Sequence, residues 1–194
     1  MFPEIMKSFI TLLIIIDPFV SAVFFLGQFK NKTEAEKNKA IWTAILVAGA
    51  LLFLFLFTGL FLMDVLNISF NGFMVGGGII LLIMGITTVL GIELGEHHEK
   101  VSSAAILIGT PLLSGPGALT TIIILSKDYG LTIPAIAAAA VLIVSFFILK
   151  FADSVERLLG KEIIEIFSKV LGLLLAALAV DFIYSGIRGF IVGG

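Results

Sequence analysis

The sequence contains no cysteine, which excludes disulfides, cysteine-ligated zinc, iron–sulfur clusters and thiol catalysis. Charge is scarce as well: Asp, Glu, Lys and Arg make up 13% of the 194 residues, against about 25% in an ordinary globular domain. With a formal net charge of -2 there is no basic footprint for nucleic acid, and no nucleic-acid partner is expected. No nucleotide-binding loop is present, so any energy-requiring activity must draw on an ion or solute gradient. What is abundant is apolar surface. Hydrophobic residues are 59% of the chain, the mean hydropathy is +1.19, and twenty glycines stand beside only five prolines. That composition excludes a soluble protein and points to helices packed closely in lipid.

A bilayer core about 30 Å thick needs roughly 20 apolar residues of helix. Six runs of that kind are present: Ser8 to Phe29, Ala40 to Met63, Phe70 to Ile92, Val101 to Leu125, Leu131 to Leu149 and Ile166 to Ile187. The first is not read as a cleaved signal peptide, because its apolar stretch continues past the small residues Val20-Ser21-Ala22 into a cationic loop. The loops after the first, third and fifth runs hold Lys30, Lys32, Lys37, Lys39, Lys100, Lys150, Arg157, Lys161 and Lys169, whereas the other side holds only Lys7, Lys127 and Arg188. The positive-inside rule therefore predicts a multi-pass protein of the cytoplasmic (inner) membrane with both termini outside.

Internal similarity adds a fold. Asp17-Pro18-Phe19-Val20-Ser21 aligns with Gly115-Pro116-Gly117-Ala118-Leu119 at an offset of 98, and Phe73 to Leu82 aligns with Phe167 to Ala176 at an offset of 94. Each half, 1–92 and 101–194, then holds three runs, and an odd number of crossings inverts the second half. The expected architecture is a single all-α transmembrane domain of six transmembrane helices, built as two inverted three-helix repeats.

Proline removes a backbone donor and clashes with the turn before it, so Pro18 and Pro116 are expected to break helices one and four at mid-membrane. Asp17-Pro18 and Ser114-Gly115-Pro116 both read as a cap followed by proline at the first helical position. Two half-helix N-termini would then expose N–H groups and about half a unit of positive charge each, an environment for a carboxylate, while freed carbonyls would suit an ammonium group or a cation. A proline kink healed by neighbouring hydroxyls is the structural alternative.

Asp17 is the most telling side chain, since a carboxyl within a span is costly. It is a candidate for capping, for binding a substrate ammonium and for exchanging a coupling ion. Asp181, followed by Ser185 and Arg188, reads instead as a structural ion pair or a solvated end. Gly72, Gly76, Gly77, Gly78 and Gly85, with Gly172, Ala176 and Ala179, have the small-residue spacing of close helix contact, or of helices that slide. Glu93, Glu96, His97, His98 and Glu99 resemble metal ligands in composition only, and no metal is expected. The candidate binding residues are Asp17, Pro18, Phe19, Val20 and Ser21 in the first run, and Thr110, Ser114, Gly115, Pro116, Gly117 and Ala118 in the fourth.

Asp17-Pro18 together with Thr110-Pro111-Leu112-Leu113-Ser114-Gly115-Pro116-Gly117-Ala118-Leu119 resembles the MarC family of six-helix inner-membrane proteins, and the resemblance covers nearly the whole chain. The first motif departs from the usual family pattern at Val20 and Val23, where members have glycine and proline. The resemblance implies transport: archaeal relatives of the SnatA type carry small neutral amino acids such as glycine and alanine, and the family is similar to LysE-type amino-acid exporters. The function expected is a secondary transporter, a symporter coupled to H+ or Na+, with no other cofactor. A LysE-like exporter of amino acids or small solutes is the alternative. From another class, an intramembrane aspartyl enzyme would use Asp17 and Asp181.

Overall fold

The computed structural model describes residues 2–29, 32–91 and 113–192. Eight helices occupy them: α1 (Phe2–Ile16), α2 (Pro18–Phe29), α3 (Glu34–Val65), α4 (Phe70–Leu90), α5 (Pro116–Tyr129), α6 (Thr132–Lys150), α7 (Ala152–Leu159) and α8 (Lys161–Val192). Their ends follow from local chemistry. Thr33 and Glu36 form a reciprocal capping box at α3, with the Thr33 N–H donating to the Glu36 carboxylate at 2.9 Å. The Ser69 hydroxyl accepts from the Gly72 N–H to start α4, and Gly91 closes that helix at φ 68, a left-handed conformation natural to glycine.

The α4–α8 pair has the closest backbone approach, and bare residues make it possible. A Cβ built on Gly85 would stand 2.8 Å from the Gly172 carbonyl oxygen and from the Ala176 nitrogen, and one on Gly78 2.8 Å from the Ala179 oxygen. Farther along, a Cβ on Gly186 would meet the Asn71 oxygen at 2.6 Å. The contact points Asn71, Gly78 and Gly85 therefore run antiparallel to Gly186, Ala179 and Gly172 in seven-residue steps, the spacing of a left-handed helix pair. Gly76 does not join them, since a Cβ there meets nothing within 4 Å.

The rest of the core gathers around α5 and α6. α3 packs on both, and α1 lies against α5 and α6, so Leu12, Leu52, Leu113, Ile122 and Val141 are completely buried together. α2 continues from α1 and packs on α6, α7 and α8.

Two polar ends result. At one, Lys37 of α3 pairs with Asp153 of α7, and Lys150 lies 5.7 Å from the Phe146 ring, itself 4.8 Å from the Trp42 ring. At the other, Lys7 lies 6.0 Å from the Tyr129 ring and Lys127 5.9 Å from the Phe70 ring. Aromatic rings beside lysines mark the interfacial belts of a membrane protein. Among the described residues, the first end also holds Lys32, Lys39, Arg157, Lys161 and Lys169, and the second adds only Arg188.

Four helices, α3, α4, α6 and α8, are long and apolar enough to cross a membrane. The expectation of six transmembrane helices in two inverted three-helix repeats is corrected by this. α1, α2 and α5 have 15, 12 and 14 residues, and each rises no more than about 22 Å, short of a hydrocarbon core of about 30 Å. The reason is local: hydropathy runs on through Asp17-Pro18 and Gly115-Pro116, but the helices do not. Residues 92–112, which include the Glu93 to Glu99 turn, the start of the fourth predicted run and Thr110, lie outside the described residues.

Candidate functional site

The interruption between α1 and α2 is one residue wide. Asp17 adopts φ 39, in the left-handed region that aspartate tolerates better than most side chains. In that conformation its N–H still donates to the Leu13 carbonyl at 3.1 Å and closes α1. Pro18 has no N–H, so the Ile14 carbonyl loses its usual helical donor. On the other side Asp17 starts α2. Its Oδ1 accepts from the Val20 N–H at 3.2 Å, and its carbonyl accepts from both the Ser21 N–H and the Ser21 hydroxyl at 3.2 Å. The negative end of one helix and the positive end of the next thus meet at a carboxylate.

The residues around the break are mostly enclosed. Pro18 is buried, Ser21 is 1% exposed, Phe19 and Val20 are half-buried, and the Phe19 ring lies 6.3 Å from the Phe167 ring of α8.

The start of α5 is built differently. Gly115 is the N-cap, with φ -63 and ψ 171, and Pro116 takes the first helical position. Ser114, buried at 2% exposure, precedes the cap and does not act as one. Because glycine has no side chain, no side-chain hydrogen bond caps this helix, whereas Asp17 caps α2. Pro116 is exposed, while Gly115, Gly117 and Ala118 are buried. Gly117 is bare for packing: a Cβ there would stand 2.5 Å from Leu81 Cδ2 and 3.2 Å from Met84 Sδ of α4. The break after α1 and the start of α5 belong to helices that touch, and they share one core.

Burial adds polar groups in α1, α6 and α8 to the hydroxyls that the sequence marks at Ser21, at Ser114 and along α5. The buried polar side chains among the described residues are all hydroxyls: Ser8 and Thr11 of α1, Ser21 of α2, Ser114, Thr120, Thr121 and Ser126 at and along α5, Ser145 of α6 and Ser168 of α8. Ser8, Thr121 and Ser145 are completely buried, and among the described residues their oxygens have no hydrogen-bond partner. An unpartnered buried hydroxyl is costly and therefore informative. The signal was available as isolated Ser and Thr within apolar runs, but it does not say which of them face inward.

Asp17 and Asp181 do not form a dyad. Asp181 is exposed on α8, and no ion pair or side-chain hydrogen bond among the described residues engages its carboxylate. The shared proton that aspartyl catalysis requires has no geometric basis here.

A bundle of apolar helices, four of them of spanning length, with an Asp-Pro interruption folded into its interior, is a multi-pass integral membrane protein. The family described as MarC family integral membrane protein matches residues 2–191, and the chain belongs to that family. It is 29% identical to the UPF0056 membrane protein YhcE of Escherichia coli, over 99% of this chain and 95% of that protein. A UPF0056 membrane protein of Archaeoglobus fulgidus is 30% identical, with 93% and 90% covered, and one of Methanocaldococcus jannaschii is 29% identical, with 94% and 95% covered. No solved structure matches.

Proposed function

We propose that the protein is a secondary transporter of small neutral amino acids, of the glycine and alanine type, driven by an H+ or Na+ gradient. The observation that carries this reading is the interruption at Asp17, where a carboxylate and a carbonyl without its helical donor lie between two helix ends. A zwitterion needs two opposite partners. Its ammonium group would be held by Asp17 and the Ile14 carbonyl. Its carboxylate would be held by the start of α5, whose glycine cap supplies no competing side chain, whereas the start of α2 is already occupied by Asp17. Phe19, Val20, Ser21, Ser114, Gly115, Pro116 and Ala118 would form the surrounding wall, together with Pro18. Buried hydroxyls give that region polarity without further charge, which suits a neutral substrate. The resemblance to SnatA-type transporters supports the same substrate class.

The protein is read as lying in the cytoplasmic membrane with both termini outside, because among the described residues Lys32, Lys37, Lys39, Lys150, Arg157, Lys161 and Lys169 share one end and only Lys7, Lys127 and Arg188 the other.

Counterflow in liposomes tests the reading. Purified protein preloaded with unlabelled glycine or alanine is expected to accumulate the labelled amino acid transiently and saturably, with a net flux that follows an imposed Na+ or pH gradient. Flux without saturable exchange would identify a channel, and no exchange across a panel of small amino acids would overturn the substrate class.

A further inference from the structure

The outward face of α8 carries polar groups where a helix bordered by lipid is ordinarily apolar. Leu174, Ala177, Asp181, Tyr184, Arg188 and Ile191 are all exposed and follow one another at alternating steps of three and four residues, so they form a single stripe. Depth follows from the register with α4. Ala179 meets Gly78 and Gly186 meets Asn71, which puts Asp181 level with Gly76. Gly76 is six residues inside Phe70, the first residue of α4. The 21 residues of α4 rise about 32 Å, close to the thickness of a hydrocarbon core. Asp181 therefore stands about 9 Å below the edge of that core, on a face that points away from its own bundle. Within the hydrocarbon, carboxylates pair with other groups or turn toward a protein interior.

We propose that this stripe is a homodimer interface and that a second copy of the chain covers it. Two copies inserted in the same orientation are related by a two-fold axis along the membrane normal, so their α8 helices run parallel and each presents the same stripe to the other. The heptad spacing suits that arrangement, with a crossing angle of about 20°. The stripe is also complementary to itself. Asp181 is an acceptor, and Tyr184 and Arg188, one and two turns on, are donors. Tyr184 starts about 4.5 Å above the other copy's Asp181 and its long side chain leans toward the helix N-terminus, so its hydroxyl reaches the level of that carboxylate, and the two-fold makes this contact twice. Ala177 leaves the backbones free to approach one turn deeper. A different protein would have to bring its own donors at this depth, whereas a second copy carries them by identity.

The absence of cysteine makes the test direct. Purified Ala177→Cys and Leu174→Cys proteins in lipid-rich liposomes are expected to oxidise to a species of twice the monomer mass, while Leu46→Cys, exposed on α3, stays monomeric. Subunit counting by single-molecule photobleaching is expected to find dimers, with the dissociation constant raised at least tenfold by Asp181→Leu and less by Asp181→Asn, which keeps an acceptor. Monomers at every dilution, equal linking at Leu46→Cys, or dimers indifferent to both Asp181 substitutions would overturn the proposal.

Discussion

Lys37 near the start of α3 holds Asp153 of α7 through an ion pair of 2.9 Å between residues 116 positions apart in the chain. Lys37 is shared, for its Nζ also lies 3.2 Å from the Glu34 carboxylate within its own helix. The lysine side chain is largely covered and the aspartate half exposed, so the pair fastens α7 across the end of the bundle in a position that salt still reaches. Lys37→Glu is expected to lower thermal stability in detergent slightly at low ionic strength and not at high salt. Adding Asp153→Lys to it should restore part of the loss. Equal loss in the single and double variants would show that the two side chains do not interact.

The α4–α8 seam gives a sharper contrast. Gly85→Ala places a methyl group against the Gly172 and Ala176 backbones, which cannot swing aside as a side chain can, and should cost about 1–3 kcal/mol or more. Gly76→Ala meets open space in the same helix and should be neutral or stabilising by up to about 1 kcal/mol, from helix propensity. Thermal unfolding of the two purified variants checks this. A stable Gly85→Ala protein would mean that the helices lie farther apart than described.

At the interruption, charge and cap can be separated. Asn tolerates the left-handed conformation of Asp17 and still accepts from the Val20 N–H, so Asp17→Asn should keep nearly full stability. Asp17→Ala loses the cap and takes on an unfavourable φ, and it should cost about 1–2 kcal/mol. Both are expected to abolish gradient-driven amino-acid uptake in liposomes, while Asp181→Asn retains uptake. Wild-type uptake by Asp17→Asn would reduce Asp17 to a cap.

Gly117→Leu tests packing rather than substrate space. The new side chain would drive into Leu81 and Met84, and a stability loss of about 1–3 kcal/mol is expected before any effect on transport is read. Gly117→Ala meets only the flexible ends of those side chains and should be tolerated. A fully stable Gly117→Leu protein would show that the site beside α5 is open.

Single cysteines report which end faces which compartment. A cysteine at the exposed Asn38 should stay unlabelled by an impermeant thiol reagent in intact cells, and one at the exposed Asn67 should be labelled. The opposite pattern would reverse the membrane orientation.

The helix starts at Pro18 and Pro116 were legible because a missing N–H is a property of one residue and needs no context. The number of spans was not. Hydropathy averages across a break of one residue, so it merged α1 with α2 into a single run. The glycines of α4 announced close packing, but they did not reveal that Gly76 faces away while Gly78 and Gly85 define the seam.

By itself the sequence determined that the protein is a cysteine-free bundle of apolar helices, that two prolines begin new helices, and that basic residues collect at one end, since each of these rests on the chemistry of single residues or short windows. Only the tertiary structure decided that Asp17 fills the start of α2 while glycine leaves the start of α5 without a side-chain cap, that Gly117 is spent on Leu81, and that Asp181 points outward. Those outcomes depend on helix register and rotation about the helix axis, which are set when distant backbones meet in three dimensions, as Gly85 meets Gly172.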